Sequence, residues 1–236
     1  MKFDLTEKLL ISRLNKVNKN DYRYNFYKTQ IKELKEYKVQ IYDFKKIKKL
    51  LEVYKNKDVI DLCFDYLDEY LIYGSYIHGI NHNLRVLVYS IILSSLLGLD
   101  RDSLKIIVYA AMYHDIGRVN DTEDKSHGKR SADKISELKL DLSEEQKNIL
   151  RAIVQSHSLS DEEFENVCKE YKIKDIKSCR ILFNILKDSD ALDRVRLEYP
   201  YIKLDFLRIN YSLSLVKFAY ELCYNFDRIN EVILWN

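Results

Sequence analysis

An all-α fold follows from three features of the chain. One proline and five glycines in 236 residues leave little to interrupt long helices. Segment after segment carries apolar residues at helical spacing. No segment alternates convincingly with the period of two that marks a strand.

The elements follow in order. "FDLTEKLLISRLNKV" reads as the first helix, with Asp4 and Thr6 as starters. "YDFKKIKKLLEVYKN" and "VIDLCFDYLDEYLIYG" keep the same 3.6-residue period. "NLRVLVYSIILSSLL" is a more apolar helix that Gly98 closes. "DSLKIIVYAAMYHDIG" comes next and ends at Gly117. A polar loop, "VNDTEDKS", leads to "GKRSADKISEL" and "SEEQKNILRAIVQSH". The second of these opens on Ser143 and two acids, which suit a helix N-terminus. "DIKSCRILFNILKDSDALDRV" and "SLSLVKFAYELCYNFDRINEVILW" complete the set.

Composition narrows the function classes. Hydrophobic residues at 47% and charged residues at 32% describe a soluble globular chain. A net charge of +2, from 39 basic and 37 acidic residues, indicates no general nucleic-acid or membrane-surface binder. The lysine-rich stretch 28–57 mixes charged with apolar residues and reads as a solvated helix face. "VLVYSIILSSLLGL", the longest apolar stretch, is expected to be too short to cross a bilayer. Cys63, Cys168, Cys179 and Cys223 form no C-x-x-C pair, and "MKFDLTEKLL" lacks the apolar core of a leader. Reduced thiols and a cytoplasmic location are therefore expected. The abundance of Lys, Ile, Tyr and Asn suits an AT-rich bacterial or phage genome.

Every glycine and every histidine lies after residue 73. This contrast sets the expected division: an N-terminal helical extension over 1–72 and the main domain over 73–236. The extension carries no readable chemistry. Shaping the pocket, forming a homodimer and docking a partner are all open to it.

The chemistry lies in the second part. His78 and His82 are four apart, so a helix or its first turn would point both rings the same way. His114 and Asp115 are adjacent where a helix is expected to end. His127 opens a helix and His157 closes one. Asp190 sits late in an apolar helix, where an unpaired carboxylate would be costly. Taken singly, each histidine reads as a surface or satisfied core residue. Taken together, imidazoles and carboxylates are standard ligands for zinc, iron and manganese. A helical bundle can gather such residues from distant helices.

In that order the segments "HGINHNLRV", "YHDIGR", "SHGKRSA", "IVQSHS" and "KDSDALDRVR" resemble the HD-domain metal-dependent phosphohydrolase superfamily, over roughly residues 75–196. The resemblance implies an HD-domain helical bundle. It implies a first metal site of His82, His114, Asp115 and Asp190. It also implies a second ion held by His127 and His157, with Asp115 bridging the two. Mononuclear members lack the two middle histidines, so the likeness is to the two-metal branch, whose cofactors are two divalent ions: iron, manganese, zinc or magnesium. His78 occupies the place of a general-acid histidine in cyclic-nucleotide phosphodiesterases.

Two ions can lower the pKa of a shared water and clamp phosphate oxygens. The expected reaction is therefore hydrolysis of a phosphoester or phosphoanhydride by a metal-bridged hydroxide. The expected substrate is a small-molecule phosphoester, a nucleotide above all. His78, Asp115 and Arg118 are the catalytic candidates. Arg118, Arg194 and Arg196 are the candidates for substrate contact, although Arg118 equally suits a helix C-terminus. Asp193 is placed to orient a ligand histidine, and Arg85 to pair with a carboxylate such as Asp193. Asp121, Glu123 and Asp124 read as solvated loop residues. Two rival functions share the ligand set: a di-iron oxygenase and a non-catalytic nucleotide sensor.

Overall fold

The computed structural model describes residues 57–66, 68–197 and 202–224, with isolated positions before them (15, 18–20, 24, 28 and 47). Among the described residues there are α-helices and short 3-10 turns, and no strand. The helices are α1 (Lys57–Phe64), α2 (Ile80–Leu97), α3 (Arg101–Tyr113), α4 (His127–Glu137), α5 (Glu144–His157), α6 (Phe164–Glu170), α7 (Ile176–Asp193) and α8 (Asn210–Tyr224).

Helices α2, α3, α5 and α7 pack on one another at the centre. Helix α4 lies against α5, α8 covers α2 and α7, α6 sits on α5, and α1 sits on α3. The chain chooses this order by how much of each helix is apolar. Helix α2 is apolar nearly all round, and Val86 to Ser94 are all buried. Helix α4 has one apolar face, Ala132 and Ile135, and a charged face of lysines and acids. Tyr89, Tyr109, Phe183 and Phe218 are the large anchors of the core. The rings of Tyr89 and Phe218 meet edge to face at 6.2 Å. Each such side chain contributes about 1.5–3 kcal/mol by leaving water.

Sequence-coded stops position the helices. Gly98 takes φ 66 and bonds back to the Ser94 and Ser95 carbonyls, closing α2. The Asp100 side chain accepts from the Ser103 N–H and starts α3. Ser143 and Gln146 form a capping box at the start of α5. Asp175 caps α7 through the Ser178 N–H.

Four expectations change. The helix expected through Tyr73 ends at Phe64. Beyond it the Tyr113 hydroxyl takes over backbone partners, accepting from the Asp68 N–H at 2.8 Å and donating to the Tyr66 carbonyl at 3.2 Å. Helix α3 ends at Tyr113, four residues before Gly117, so His114 and Asp115 stand in a turn. A helix absent from the sequence reading, α6, is present; Phe164, Val167 and Cys168 supply its short apolar stripe. Helix α2 is long and apolar enough to cross a membrane by length and composition, but 67% of that stretch is buried inside the bundle.

The first two expected helices, and the chain beyond Tyr224, lie outside the described residues. The division at residue 73 separates α1 from the rest, yet Val59 and Cys63 of α1 join the same core as α3. Cys63, Cys168 and Cys179 are buried free thiols and Cys223 is half-buried.

Candidate metal centre

The turn after α3 carries His114 and Asp115, and two close backbone approaches seat it. A Cβ on Gly117 would lie 2.3 Å from the Ser131 nitrogen and 2.4 Å from the His127 carbonyl, so only glycine lets this turn touch the start of α4. The Gly117 N–H donates to the Ser131 hydroxyl at 2.8 Å, and Arg130 Nε donates to the Gly117 carbonyl at 2.8 Å. Asp115 is thereby fixed against His127. Gly128 does the same between α4 and α5: a Cβ there would meet the Gln155 carbonyl at 2.7 Å and the Val154 carbonyl at 2.9 Å.

Four imidazoles then converge on one carboxylate. Asp115 is 2% exposed and faces both ways. Its Oδ2 lies 3.7 Å from His82 Nε2 and 3.6 Å from His114 Nε2. Its Oδ1 lies 3.1 Å from His127 Nε2 and 3.5 Å from His157 Nε2. The two triads, His82–His114–Asp115 and Asp115–His127–His157, each hold their ligand atoms within 4.8 Å of one another.

The opposite side of every ring fixes its tautomer. His82 Nδ1 donates to Asp193 Oδ2 at 2.7 Å. His114 Nδ1 donates to the Ala111 carbonyl at 2.9 Å and His157 Nδ1 to the Val154 carbonyl at 2.6 Å. His127 Nδ1 donates to the Asp124 carbonyl. All four partners can only accept, so Nδ1 holds the proton and Nε2 presents a bare lone pair. Burial, then the Arg196 charge, pushes the His82 ring down to about 4 despite Asp193, which keeps it neutral.

The consequence is a set of like poles. His82 Nε2 and His114 Nε2 are 3.1 Å apart, and His127 Nε2 and His157 Nε2 are 2.8 Å apart. With both protons on Nδ1 these are opposed lone pairs and not hydrogen bonds. Asp115 Oδ1 is buried and takes no hydrogen bond. A divalent cation satisfies each group, and the neutral-imidazole and carboxylate donor set fits one.

The other sequence candidates fall around this centre. Asp190 Oδ1 lies 3.4 Å from His82 Nε2. The expectation of a buried carboxylate there is corrected: its side chain is 36% exposed and opens onto a cavity. The fully buried acids of α7 are Asp193 and Asp188, and the sequence reading passed over Asp188. Asp188 accepts from the Arg208 and Ile209 N–H groups, the Ser212 hydroxyl and the Arg208 guanidinium.

Asp193 holds His82 and forms a two-pronged pair with Arg85, at 2.6 and 2.9 Å. Arg118 Nε reaches Asp115 Oδ2 at 2.9 Å, so its charge turns into the centre. Arg196 has a different task from the expected substrate contact. It is 9% exposed at the side chain and spends its donors on the Ile77 carbonyl, the Asp193 carbonyl and Asp193 Oδ2. Arg194 lines the cavity.

His78 stands beside the first triad, its ring 5.9 Å from that of His82. Burial pushes its imidazole down, and Asp121 partly restores it. Asp121, expected to be solvated, accepts from His78 Nδ1 at 2.8 Å and from the Ser75 hydroxyl at 2.5 Å. Asp124 likewise pairs with Arg130 and its carbonyl orients His127. No spacing rule ties Asp121 to His78 along the chain, so the loop had to fold before the pair became visible.

A cavity of about 620 Å³ opens on the centre. His157 and Asp190 line it, together with Asp161, Lys187, Arg194, Lys203, Phe206 and Arg208. Its size suits a small-molecule ligand.

The fold and the site define an all-α protein with a His/Asp metal-binding cluster. Residues 79–195, about half of the chain, match the family model of the HD domain, in agreement with the His/Asp cluster. No curated protein and no solved structure matches the chain.

Proposed function

We propose that the protein is a metal-dependent hydrolase of a small-molecule phosphoester, a nucleotide above all, acting with two divalent ions. The observation that carries this reading is the division of Asp115: one oxygen faces His82 and His114, the other faces His127 and His157. One carboxylate shared between two histidine pairs is the ligand arrangement of a two-ion site. His82, His114, Asp115 and Asp190 would hold the first ion, and Asp115, His127 and His157 the second.

When bound, the two ions supply Lewis acidity: an activated water and a sink for the charge on phosphate oxygens. The remaining work belongs to the chain. His78, steered by Asp121, is placed to give a proton to the departing oxygen. Arg118, beside Asp115, balances the charge of the shared carboxylate and offers its remaining donors to a phosphate oxygen. Arg194, on the cavity wall, meets the substrate's negative charge farther out.

The test pairs metal analysis with turnover of bis(p-nitrophenyl) phosphate. The expected result is about two equivalents of metal and turnover that a chelator abolishes. Asp115→Ala is expected to lose both while the helical circular-dichroism signal stays. An Asp115→Ala protein that kept its metal and its turnover would refute the assignment. Two irons with an oxygen-dependent product and no phosphoester turnover would identify the oxygenase instead.

A further inference from the structure

The cavity beside the metal centre has a wall that the HD-domain match does not include. The match ends at residue 195, and the wall is made by residues 203–208. Two acids lock this segment to the metal-bearing part. Asp188 of α7 accepts the Arg208 and Ile209 N–H groups, at 2.8–3.0 Å. Asp161, just past the helix that ends in His157, pairs with Arg208 through Nε at 2.7 Å and Nη2 at 2.9 Å. Lys187 joins them, donating to Asp161 at 2.7 Å and to the Leu159 carbonyl at 2.6 Å. The segment is therefore held in register with both the His157 and the Asp190 ends of the site.

On this segment stands Phe206. Its backbone is fixed from two sides: its N–H donates to the Lys203 carbonyl at 3.0 Å, and its carbonyl accepts from Arg208 Nη1 at 2.6 Å. Phe206 nevertheless remains 59% exposed on the cavity lining. The Lys203 ammonium lies 5.1 Å from the ring centroid. A turn that presents an aromatic ring and a cation to a cavity also lined by His157 and Asp190 has the parts for a ligand with a flat ring and a negative charge.

We propose that Phe206 is a specificity-determining residue, the stacking platform for a planar aromatic group on the phosphoester whose phosphate lies toward the His/Asp centre. The proposal rests on the hydrolase reading for the orientation of that ligand, and on the cavity alone for the ring site. Lys203 sits where it can meet an anionic group beside the stacked ring. The discrimination is supplied by the C-terminal segment, outside the matched domain.

Phe206→Ala removes an exposed side chain and leaves the Asp161–Arg208–Asp188 network in place, so the variant is expected to fold. Ring binding is read first, without metal. Saturation-transfer NMR on chelator-treated full-length protein uses adenosine 5′-monophosphate as the probe. Strong saturation of the base protons is expected, lost in Phe206→Ala and kept in Phe206→Trp. Turnover is read second, with manganese, comparing adenosine 5′-monophosphate with ribose 5-phosphate and phenyl phosphate with glycerol phosphate. The wild type is expected to favour the ring-bearing member of each pair by about tenfold or more in kcat/KM, which is the worth of one base on an aromatic ring. Phe206→Ala is expected to lose most of that preference while its kcat/KM on the aliphatic esters stays the same. A preference for the purine ester without one for phenyl phosphate would narrow the ring to a nucleobase. Equal base saturation in wild type and Phe206→Ala would overturn the proposal, whatever the turnover. Base saturation that depends on Phe206, with no phosphoester hydrolysed by any form, would keep the ring site and sink the hydrolase reading.

Discussion

Three aspartates on one helix have three different tasks, set by what each faces. Asp188 faces the backbone of residues 208 and 209 and holds the next segment. Asp190 faces the cavity and His82. Asp193 faces inward to Arg85 and the back of His82. Asp193 is fully buried, and burial alone would raise its carboxyl. The hydrogen bond from His82 and the charges of Arg196 and Arg85 outweigh that and hold it below the usual carboxylate value. A lowered folded-state pKa gives stability that is complete above the unfolded value, about 3.9, and is lost as pH falls through the folded value. Urea midpoints of the metal-free protein between pH 6 and 3 are expected to fall less steeply for Asp193→Asn than for wild type. The same variant is expected to bind the first ion roughly 10–100-fold more weakly, because His82 loses its charged orienting partner. An Asn variant with the wild-type acid slope would remove Asp193 from the acid response. At this scale the sequence shows residue types but not directions. Asp190 and Asp193 stood out as part of a histidine-and-aspartate pattern, while Asp188, whose partners are backbone N–H groups and the Arg208 and Ser212 side chains, and Asp121, in a polar loop, did not.

Elements position these residues through contacts closer than side chains allow. Helices α4 and α5 meet at Gly128, where an added methyl would press on the Val154 carbonyl, the acceptor that orients His157. Gly128→Ala is therefore expected to push α4 from α5 and to spread His127 from His157. The expected cost is about 1–3 kcal/mol of stability, as for overpacking in a core. Metal content is expected to drop from two ions toward one, since the first triad lies on α2 and the turn after α3. Thermal unfolding and metal analysis on one sample check both. Loss of stability with two ions retained would show that Gly128 packs the helices but does not set the second site. Much of the element layer was readable beforehand. Caps such as Gly98 and Ser143 are local signals, and the structure uses both of them. Two elements were misread for physical reasons. The stretch after Phe64 keeps a helical pattern, but a tertiary partner, the Tyr113 hydroxyl, holds its backbone in another form. Helix α6 is too short for periodicity to stand out.

The whole molecule is organised around one point. Helices α2, α4, α5 and α7 and the turn after α3 each send a ligand-type side chain there, so the centre ties the core together across most of the described chain. Without an ion the bundle must hold four Nε2 lone pairs and the Asp115 carboxylate at close quarters, which opposes folding. With ions bound, the same geometry becomes a cross-link between helices distant in sequence, and binding to the folded form alone adds stability by mass action. At a free metal concentration a hundredfold above Kd, one site is expected to add about 2.7 kcal/mol. For a chain of this length that is roughly a 5–10 °C rise in Tm. Chelation should therefore lower the Tm of wild type by at least this amount, and re-addition of manganese or iron should restore it. Asp115→Ala makes the sharper comparison. Removing the shared carboxylate relieves the crowding of the metal-free centre and also abolishes the shared ligand. Its Tm without metal is expected to match or exceed that of metal-free wild type, and added metal is expected to move it little. A metal-free Asp115→Ala protein that melted well below metal-free wild type would mean that Asp115 serves the fold through Arg118 and the histidines, with no strain for a metal to relieve.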